Sequence, residues 1–536
     1  MTKNKLYILF IIYFFSIAVN SFSQFTNYRI YPSVSNQIEP FIVRHPVNQN
    51  ILFASAYTIY LNFRSEGIYV STDGGNSWRG TDTCNGAPIN GGHGGDPGPI
   101  IDKDGNFILT HQGGAVVGMF ANYSTNQGLN WSNNIAILTG DQDKGSPGTD
   151  DAPASPYYGR TYLVWTRFSP PFPIVISYTT NGGQSWLTGS SIIQINNSYG
   201  SNRSFGPAVN VSPEGKVYVC WASAIPNSPY TEDYIGFAKS TNGGNNWAVV
   251  ENAIDINGIR TTQLNPWTIR ANSFPVIDVD KTGGARNGWI YIVTTSKNLA
   301  PAGSDPDIVL YVSTNEGVSW SSGVRVNQDP INNGRNQFFP AVRVDENGGV
   351  NIIYYDNRNS VDSVDVYLSR STNGGSSWQD FKITANRFKP TAVAGAGGAG
   401  NMGDNIGLTS GNGKLYAVWM SNQTGIFQTW ACNIDYAAIG IHKISSEIPA
   451  EFMLEQNYPN PFNPVTKIKF HLPVSSFVKL SVYDINGREA SVITEQYYSN
   501  GSYEASFDGS VLPSGIYFYK LQANEFSQSK KMIILK

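Results

Sequence analysis

Beyond residue 24 the first four-fifths of the chain reads as short apolar runs cut by Gly, Asn and Pro, with no sustained 3.6-residue period. One stretch carries the whole pattern. Pro207-Ala208-Val209-Asn210-Val211 leads through a Gly turn into Lys216-Val217-Tyr218-Val219-Cys220-Trp221. A polar loop comes next, then Tyr234-Ile235-Gly236-Phe237-Ala238-Lys239-Ser240, a further turn and Ala248-Val249-Val250. Runs rich in β-branched and aromatic residues, bounded by turn formers, predict strands. Seven units of this kind can be counted, with first strands beginning near Pro40, Pro99, Pro153, Pro207, Pro275, Pro340 and Ile406. The seventh, Ile406 to Ile434, has no obvious fourth strand, and Phe25-Thr26-Asn27-Tyr28-Arg29-Ile30-Tyr31 is available to supply it. Such a closure removes the open edges that a ring of sheets would otherwise present. With 54 Gly, 29 Pro and 13% aromatic residues, composition also points to an all-β chain.

Six copies of one motif punctuate these units. The first is Ser71-Thr72-Asp73-Gly74-Gly75-Asn76-Ser77-Trp78, and the others end at Trp131, Trp186, Trp247, Trp320 and Trp378. The spacings between successive Trp residues are 53, 55, 61, 73 and 58, which means one supersecondary unit per copy. Asp73, Asn126, Asn181, Asn242, Asn315 and Asn373 are expected to fold back onto nearby amides and nucleate a turn. Gly75 and its counterparts tolerate positive φ, and each Trp buries a large ring.

This pattern resembles the Asp-box (BNR) repeat, S-x-D-x-G-x-x-W, of sialidases and related β-propellers. Five copies carry Asn for Asp and one carries Thr179 for Ser. The resemblance implies an all-β propeller with the boxes as structural turns on the face away from the ligand. Counting units favours seven blades; sialidases would suggest six.

The ends of the chain read separately. Residues 1–23 have the form of a secretory signal: Lys3 and Lys5, an apolar Leu6 to Val19, then Ser21-Phe22-Ser23. Residues 24–436 form the propeller and 437–451 a linker. Residues 452–536 read as a distinct end domain of alternating strands, which carries Asn457-Tyr458-Pro459-Asn460-Pro461-Phe462-Asn463-Pro464 near its start and Lys530-Lys531-Met532-Ile533-Ile534 near its end. This end resembles the type A C-terminal sorting domain of the type IX secretion system, which implies a small β-sandwich. The resemblance implies passage through the periplasm to a secreted or outer-membrane surface location, with the secretion machinery as a partner.

Charge and cysteine content narrow the classes. A net charge of −3 with no basic run gives no support to nucleic acid, and no segment after the signal is apolar enough to span a membrane. Three Cys make no disulfide framework, and no His/Cys spacing suits zinc. No cofactor is expected; calcium at Asp150-Asp151 or Asp305/Asp307 has only hard-oxygen chemistry behind it.

In a propeller, the loops before first strands and after second strands share one face. That rule collects Glu39, His93, Asp96, Asp150, Asp151, Arg203, Arg335 and Asp404, and from the second set Arg167, Lys297, Asp305, Asp307, Asp356 and Arg358. Asp96, Asp150, Asp151 and Asp356 are the candidates for acid/base work. Arg203, Arg335, Arg358, Glu39, His93 and Asp404 are the candidates for holding a ligand, Arg by bidentate pairing with an acidic group. Tyr28-Arg29-Ile30-Tyr31-Pro32 is a sialidase Arg motif with one residue inserted, and the insertion turns every later side chain of the strand to its other face; no Tyr–Glu pair is identifiable. Three readings stay open: an exported propeller that binds a glycan or protein, a glycoside hydrolase of exo-sialidase type, and a non-catalytic adhesion scaffold.

Overall fold

A strand covered on both faces needs no polar face, and the central strands of this chain are of that kind. Val217–Ala224, Ile290–Ser296 and Val350–Asp356 are buried at every position. The computed structural model describes residues 25–60, 63–84, 93–439, 441–445, 447–463, 465–498, 500–509 and 512–536. The proposed signal segment lies outside the described residues. Among the described residues between 27 and 435 the strands form seven antiparallel sheets of four or five strands and one two-stranded ribbon, and six of the seven are paired in chain order. Their first strands are Asn36–Arg44, Gly95–Ile101, Gln142–Thr149, Arg203–Val211, Val276–Val279, Gln337–Val344 and Gly407–Gly411. Each of these touches the next, and the last touches the first. The seventh sheet takes its fourth strand from the other end of the chain: Asn27–Arg29 pairs antiparallel with Gln428–Asp435, Tyr28 opposite Ala431.

One first strand differs from the expectation. The third begins at Gln142, not near Pro153, because its sequence (Gln-Asp-Lys-Gly-Ser-Pro-Gly-Thr) has no apolar alternation to mark it. Pro153 belongs to the turn after this strand.

Each of the six repeated turns links the last two strands of one sheet. In each, the Ser or Thr hydroxyl accepts the amide of the motif's last Gly at 2.8–3.2 Å. The Asp or Asn side chain accepts the amide four residues on at 2.9–3.0 Å. That Gly has φ between +77° and +94° and faces the preceding sheet: Gly128 meets Ile68 and Val70, Gly244 meets Tyr162 and Ile176, Gly375 meets Leu310 and Val312. Gly75, in the first turn, meets Tyr416 and Asn433 of the seventh sheet. Tyr28 fastens the same seam, donating to Asn433 Oδ1 at 2.8 Å and accepting from Trp78 Nε1 at 3.3 Å.

Beyond residue 440, two four-stranded sheets enclose one core containing Ile468, Phe470, Leu480, Val482, Leu521 and Met532. The stretch expected as linker carries the strand Ile441–Ser445 of this unit, with Ile441 buried in its core. The Asn-Tyr-Pro-Asn-Pro-Phe motif staples the chain terminus. Asn460 Oδ1 accepts the Ile533 amide at 2.9 Å, Phe462 donates its amide to Ile533 O at 3.0 Å, and Asn457 takes Tyr519 and Thr466 as partners. Cys84, Cys220 and Cys432 are buried.

The close approach at the turns is testable. A Cβ on Gly317 would stand 2.1 Å from Phe237 Cε1 at φ +81°, whereas one on Gly334, at φ +72°, would meet nothing within 4 Å. Gly334→Ala is expected to cost about 1–2 kcal/mol for the left-handed backbone alone, and Gly317→Ala roughly 2–5 kcal/mol once overpacking is added. Urea unfolding of both variants reads the difference; equal costs would contradict seating on the preceding sheet.

Candidate functional site

Five first strands carry the same irregularity near their beginning. The pairing register shifts at Ile38/Phe41, Gly95/Gly98, Asp143/Ser146, Phe205/Ala208 and Phe338/Ala341. Inside each bulge one residue has positive φ: Glu39 (55°), Asp96 (53°), Lys144 (56°), Gly206 (57°) and Phe339 (53°). Glu39, Asp96 and Phe339 also precede Pro, which further disfavours helical backbone at that position. A bulge re-aims a side chain, and strain of this kind persists only where the surroundings enforce it. Here it turns Glu39, Asp96 and Lys144 into one hollow of about 310 Å³ at the mouth of the hub.

Lys144 is the centre of that hollow. Its Nζ donates to Asp96 Oδ1 at 3.1 Å and to Asp404 Oδ1. Asp404 also receives Asn272 Nδ2 at 3.2 Å and Arg270 Nη2 at 3.4 Å. Gln112 Nε2 bridges Asp96 (2.7 Å) and Asp143 (2.6 Å). Arg260 lies over the rings of Phe205 and Phe274, 4.6 and 5.5 Å from their centroids. Tyr57 and Arg64 complete the polar lining.

Burial and neighbours drive the carboxyl groups apart. Burial pushes Glu39 up to about 8, with Asp404 and Asp96 adding to the shift against Lys144. Asp143 rises to about 6 through burial and Asp96. Burial would also raise Asp404, but Lys144 and Arg270 outweigh it and hold the carboxyl below its usual range. At neutral pH the hollow therefore holds a protonated Glu39 beside an ionised Asp404.

Two loops supply its outer wall. Arg260, Arg270 and Asn272 ride on an insertion between the fourth and fifth sheets, built on the ribbon Thr261–Leu264 and Ile269–Ala271. Buried Glu232 anchors it by accepting the amides of Arg260 and Ser273 at 3.1 and 3.0 Å. Beside it stands a Gly-rich segment, residues 392–403, whose Gly400 carbonyl accepts the Arg270 amide at 2.8 Å. From the hollow an aromatic shelf runs outward. Ring centroids step from Phe274 to Phe205 (4.9 Å), to Phe168 (5.6 Å) and to Phe172 (5.6 Å). Arg203 stacks between Phe172 and Tyr230, whose φ angles are +59° and +64°.

Of the residues picked from sequence, Glu39, Asp96 and Asp404 come together here. The others go elsewhere. Asp356 and Arg358 form a buried pair at 2.7 Å within the sixth sheet, with Asp380 also at 2.7 Å from Arg358. Burial lifts Asp356 to about 6 against that pairing. Arg335 donates to Ser360 O at 3.3 Å, so Arg203, Arg335 and Arg358 take separate partners and none lines the hollow. Asp150 and Asp151 lie on the opposite face, because the true third strand precedes them: Asp150 organises a turn through Ser155 and Ala152, and Asp151 pairs with Lys281 at 2.6 Å. Asp307 pairs with Arg325 at 2.7 Å and Asp305 accepts the Gly334 amide at 2.7 Å. Arg29 sits in the outer edge strand of the seventh sheet. His93 is buried and stacked 4.0 Å from His111, both its ring nitrogens without a hydrogen-bond partner; burial and His111 push it down to about 2, so it is neutral. Among the described residues no group of three or more His, Cys, Asp or Glu is placed to hold a metal ion.

Sequence reasoning missed Lys144 and Asp143 with their strand, and Arg260, Arg270 and Asn272 with their insertion. A signal for the insertion was present: Trp247 to Trp320 is the longest interval in the series, at 73 residues.

The charge arrangement gives two expected outcomes. Lys144→Met leaves Asp96 buried without its cation and Asp404 with Arg270 alone, and is expected to cost roughly 3–5 kcal/mol in chemical denaturation; a loss under about 1 kcal/mol would contradict the role given to Lys144. For Glu39 the folded-state pKa lies above its ordinary 4.5. Its contribution is thus fully present below that value and is lost as pH rises through about 8. Glu39→Gln should flatten the fall in stability across that window, and an unchanged slope would contradict the shift.

Residues 456–535 match the secretion system C-terminal sorting domain. No curated protein matches the chain. Among solved structures, a polysaccharide lyase of family PL25, an ulvan lyase bound to -[GlcA(1-4)Rha3S]-, superposes with a TM-score of 0.50 at 12% identity, over 75% of this chain and 94% of that one. The α-L-arabinanase of Penicillium chrysogenum gives 0.42 at 15% identity, over 65% and 97%. A leech intramolecular trans-sialidase gives 0.39 at 11% identity, over 65% and 68%. At such identities the likeness concerns the fold, a β-propeller. Among the described residues no helix is long and apolar enough to cross a membrane. The chain is an all-β propeller protein that carries a secretion-system C-terminal sorting domain over residues 456–535, and it is secreted or attached to the cell surface.

Proposed function

We propose that the chain is an exported seven-bladed propeller that binds a glycan in the hollow around Lys144, on the face opposite the Asp-box turns. In this reading residues 24–436 are the binding module. The terminal β-sandwich, extended back to Ile441, is the export module. The observation that supports it is one hollow that gathers Glu39, whose carboxyl burial pushes up to about 8, with Asp404, which Lys144 and Arg270 hold below its usual range, and with Asp96. A neutral carboxyl donates to a sugar hydroxyl, carboxylates accept from others, and the Arg260 fork suits an acidic substituent. The aromatic shelf offers flat apolar faces beside these few polar groups, as ligand sites commonly do.

Cleavage of the bound glycan is the second reading, and Glu39 favours it. A carboxyl pushed up to about 8 beside Asp404, which is held below its usual range, has the form of a general acid with its partner base. The exo-sialidase version draws no support from Arg203, Arg335 and Arg358, which are engaged elsewhere.

The test is the mature chain on an array of neutral and acidic oligosaccharides, followed by a panel of fluorogenic glycosides that includes a sialoside. At least one acidic glycan is expected to bind, and Arg260→Ala to weaken it about tenfold, the scale of one charged hydrogen bond. No ligand on the array would contradict the proposal. Glu39→Gln separates the readings: binding retained with turnover lost assigns cleavage, whose rate then falls as pH rises through about 8.

A further inference from the structure

A second hollow, of about 560 Å³, opens at the other mouth of the hub, on the side of the repeated turns. It shares no lining residue with the first. Arg44 ends the first strand of the first sheet, Arg343 lies in that of the sixth, and Lys281 comes just after that of the fifth. The acids around this mouth are already committed. Asp151 holds Lys281 at 2.6 Å, Asp345 holds Arg370, and Glu346 accepts the Gly413 amide at 2.9 Å and the Tyr436 hydroxyl at 2.6 Å.

The two guanidinium groups are not so provided. Among the described residues Arg44 Nη1 reaches the carbonyl oxygens of His45 and Pro46, each at 3.3 Å, and its buried Nε has no partner. Arg343 donates Nε to Ser410 Oγ at 3.2 Å, and its contact with Asp278 is long, at 3.9 Å. Burial, then the charge of Arg343, pushes Arg44 below its ordinary value. Room for the Arg44 shank comes from Gly411, where a Cβ would stand 2.6 Å from Arg44 Cδ. Two like charges held together, one with an orphaned N–H, form an arrangement that an anion completes.

We propose that this mouth binds a tetrahedral oxyanion, a sulfate or phosphate group, between Arg44 and Arg343. Guanidinium forks match adjacent oxygens of such a group in pairs, which an ammonium does not do. The group comes either as the free inorganic ion or as an ester on a sugar. The site is separate from the glycan hollow and does not depend on it.

The experiment is isothermal titration of the mature chain at low ionic strength with sodium sulfate, sodium phosphate and glucose 6-sulfate, against sodium chloride at matched ionic strength. One saturable site is expected for sulfate, weakened at least tenfold by Arg343→Gln and by Arg44→Gln. Should Arg44→Gln fail to fold, Arg343→Gln and Arg343→Lys carry the test, the second keeping the charge but losing the fork and weakening binding. Tighter binding of glucose 6-sulfate than of sulfate assigns a sugar ester; equal or weaker binding assigns the free ion. No saturable heat beyond chloride, or unchanged affinity in Arg343→Gln, overturns the proposal. Loss of the site in Arg260→Gln, on the opposite face, overturns it as well.

Discussion

Each repeated turn seats its last glycine on the sheet before it, and everything else in residues 25–435 depends on that contact. The Asx side chain and the Ser or Thr hydroxyl hold the turn in shape from within. The missing Cβ then lets backbone lie against Phe237, Leu310 or Tyr416. A four-stranded sheet with two apolar faces cannot bury both by itself. Stacked between neighbours it can, which is why Val217–Ala224 and its counterparts are buried throughout. The contact that matters most joins the ends of the series. Gly75, Trp78, Tyr28 and Asn433 bring the first turn, the N-terminal strand and the seventh sheet together.

That seam also makes the site. Glu39 comes from the first sheet, Asp404 from the segment entering the seventh, and Lys144 from the third. Closing the series puts charges distant in sequence into one poorly hydrated space, where each sets the protonation of the others. The bulges at Glu39, Asp96 and Lys144 then turn these side chains into it, at a cost in backbone strain that the packed inner strands bear. Glu39 and Asp404 are both carboxylic acids in the same hollow and differ because Asp404 has Arg270, Asn272 and Lys144 as direct partners.

Much of this was legible in the sequence, for physical reasons. Six copies of a motif with a fixed internal hydrogen-bond pattern identify turns without ambiguity. The missing fourth strand after Ile434 pointed to residues 25–31 because an open edge needs a partner, and Asn27–Arg29 within them takes that place. The site was legible only in part. Glu39 and Asp96 stand beside prolines that mark first strands, whereas Lys144 stands in Gln142–Thr149, whose small and polar residues carry no strand signal. With that strand unmarked, sequence alone places Asp150 and Asp151 on the wrong face. Arg203, Arg335 and Arg358 share a face on topology alone, but spacing does not reveal which acid or ring each guanidinium takes. Tyr354, Tyr367 and Asp380 claim Arg358; Phe172 and Tyr230 claim Arg203.

The closed seam is best tested by native-state hydrogen exchange on the mature chain with and without residues 25–31. If ring closure holds the site together, removing this strand lowers amide protection in the first sheet as well as the seventh, and around Glu39 and Asp404. Protection lost only along Gln428–Asp435, with the first sheet unchanged, would contradict the account.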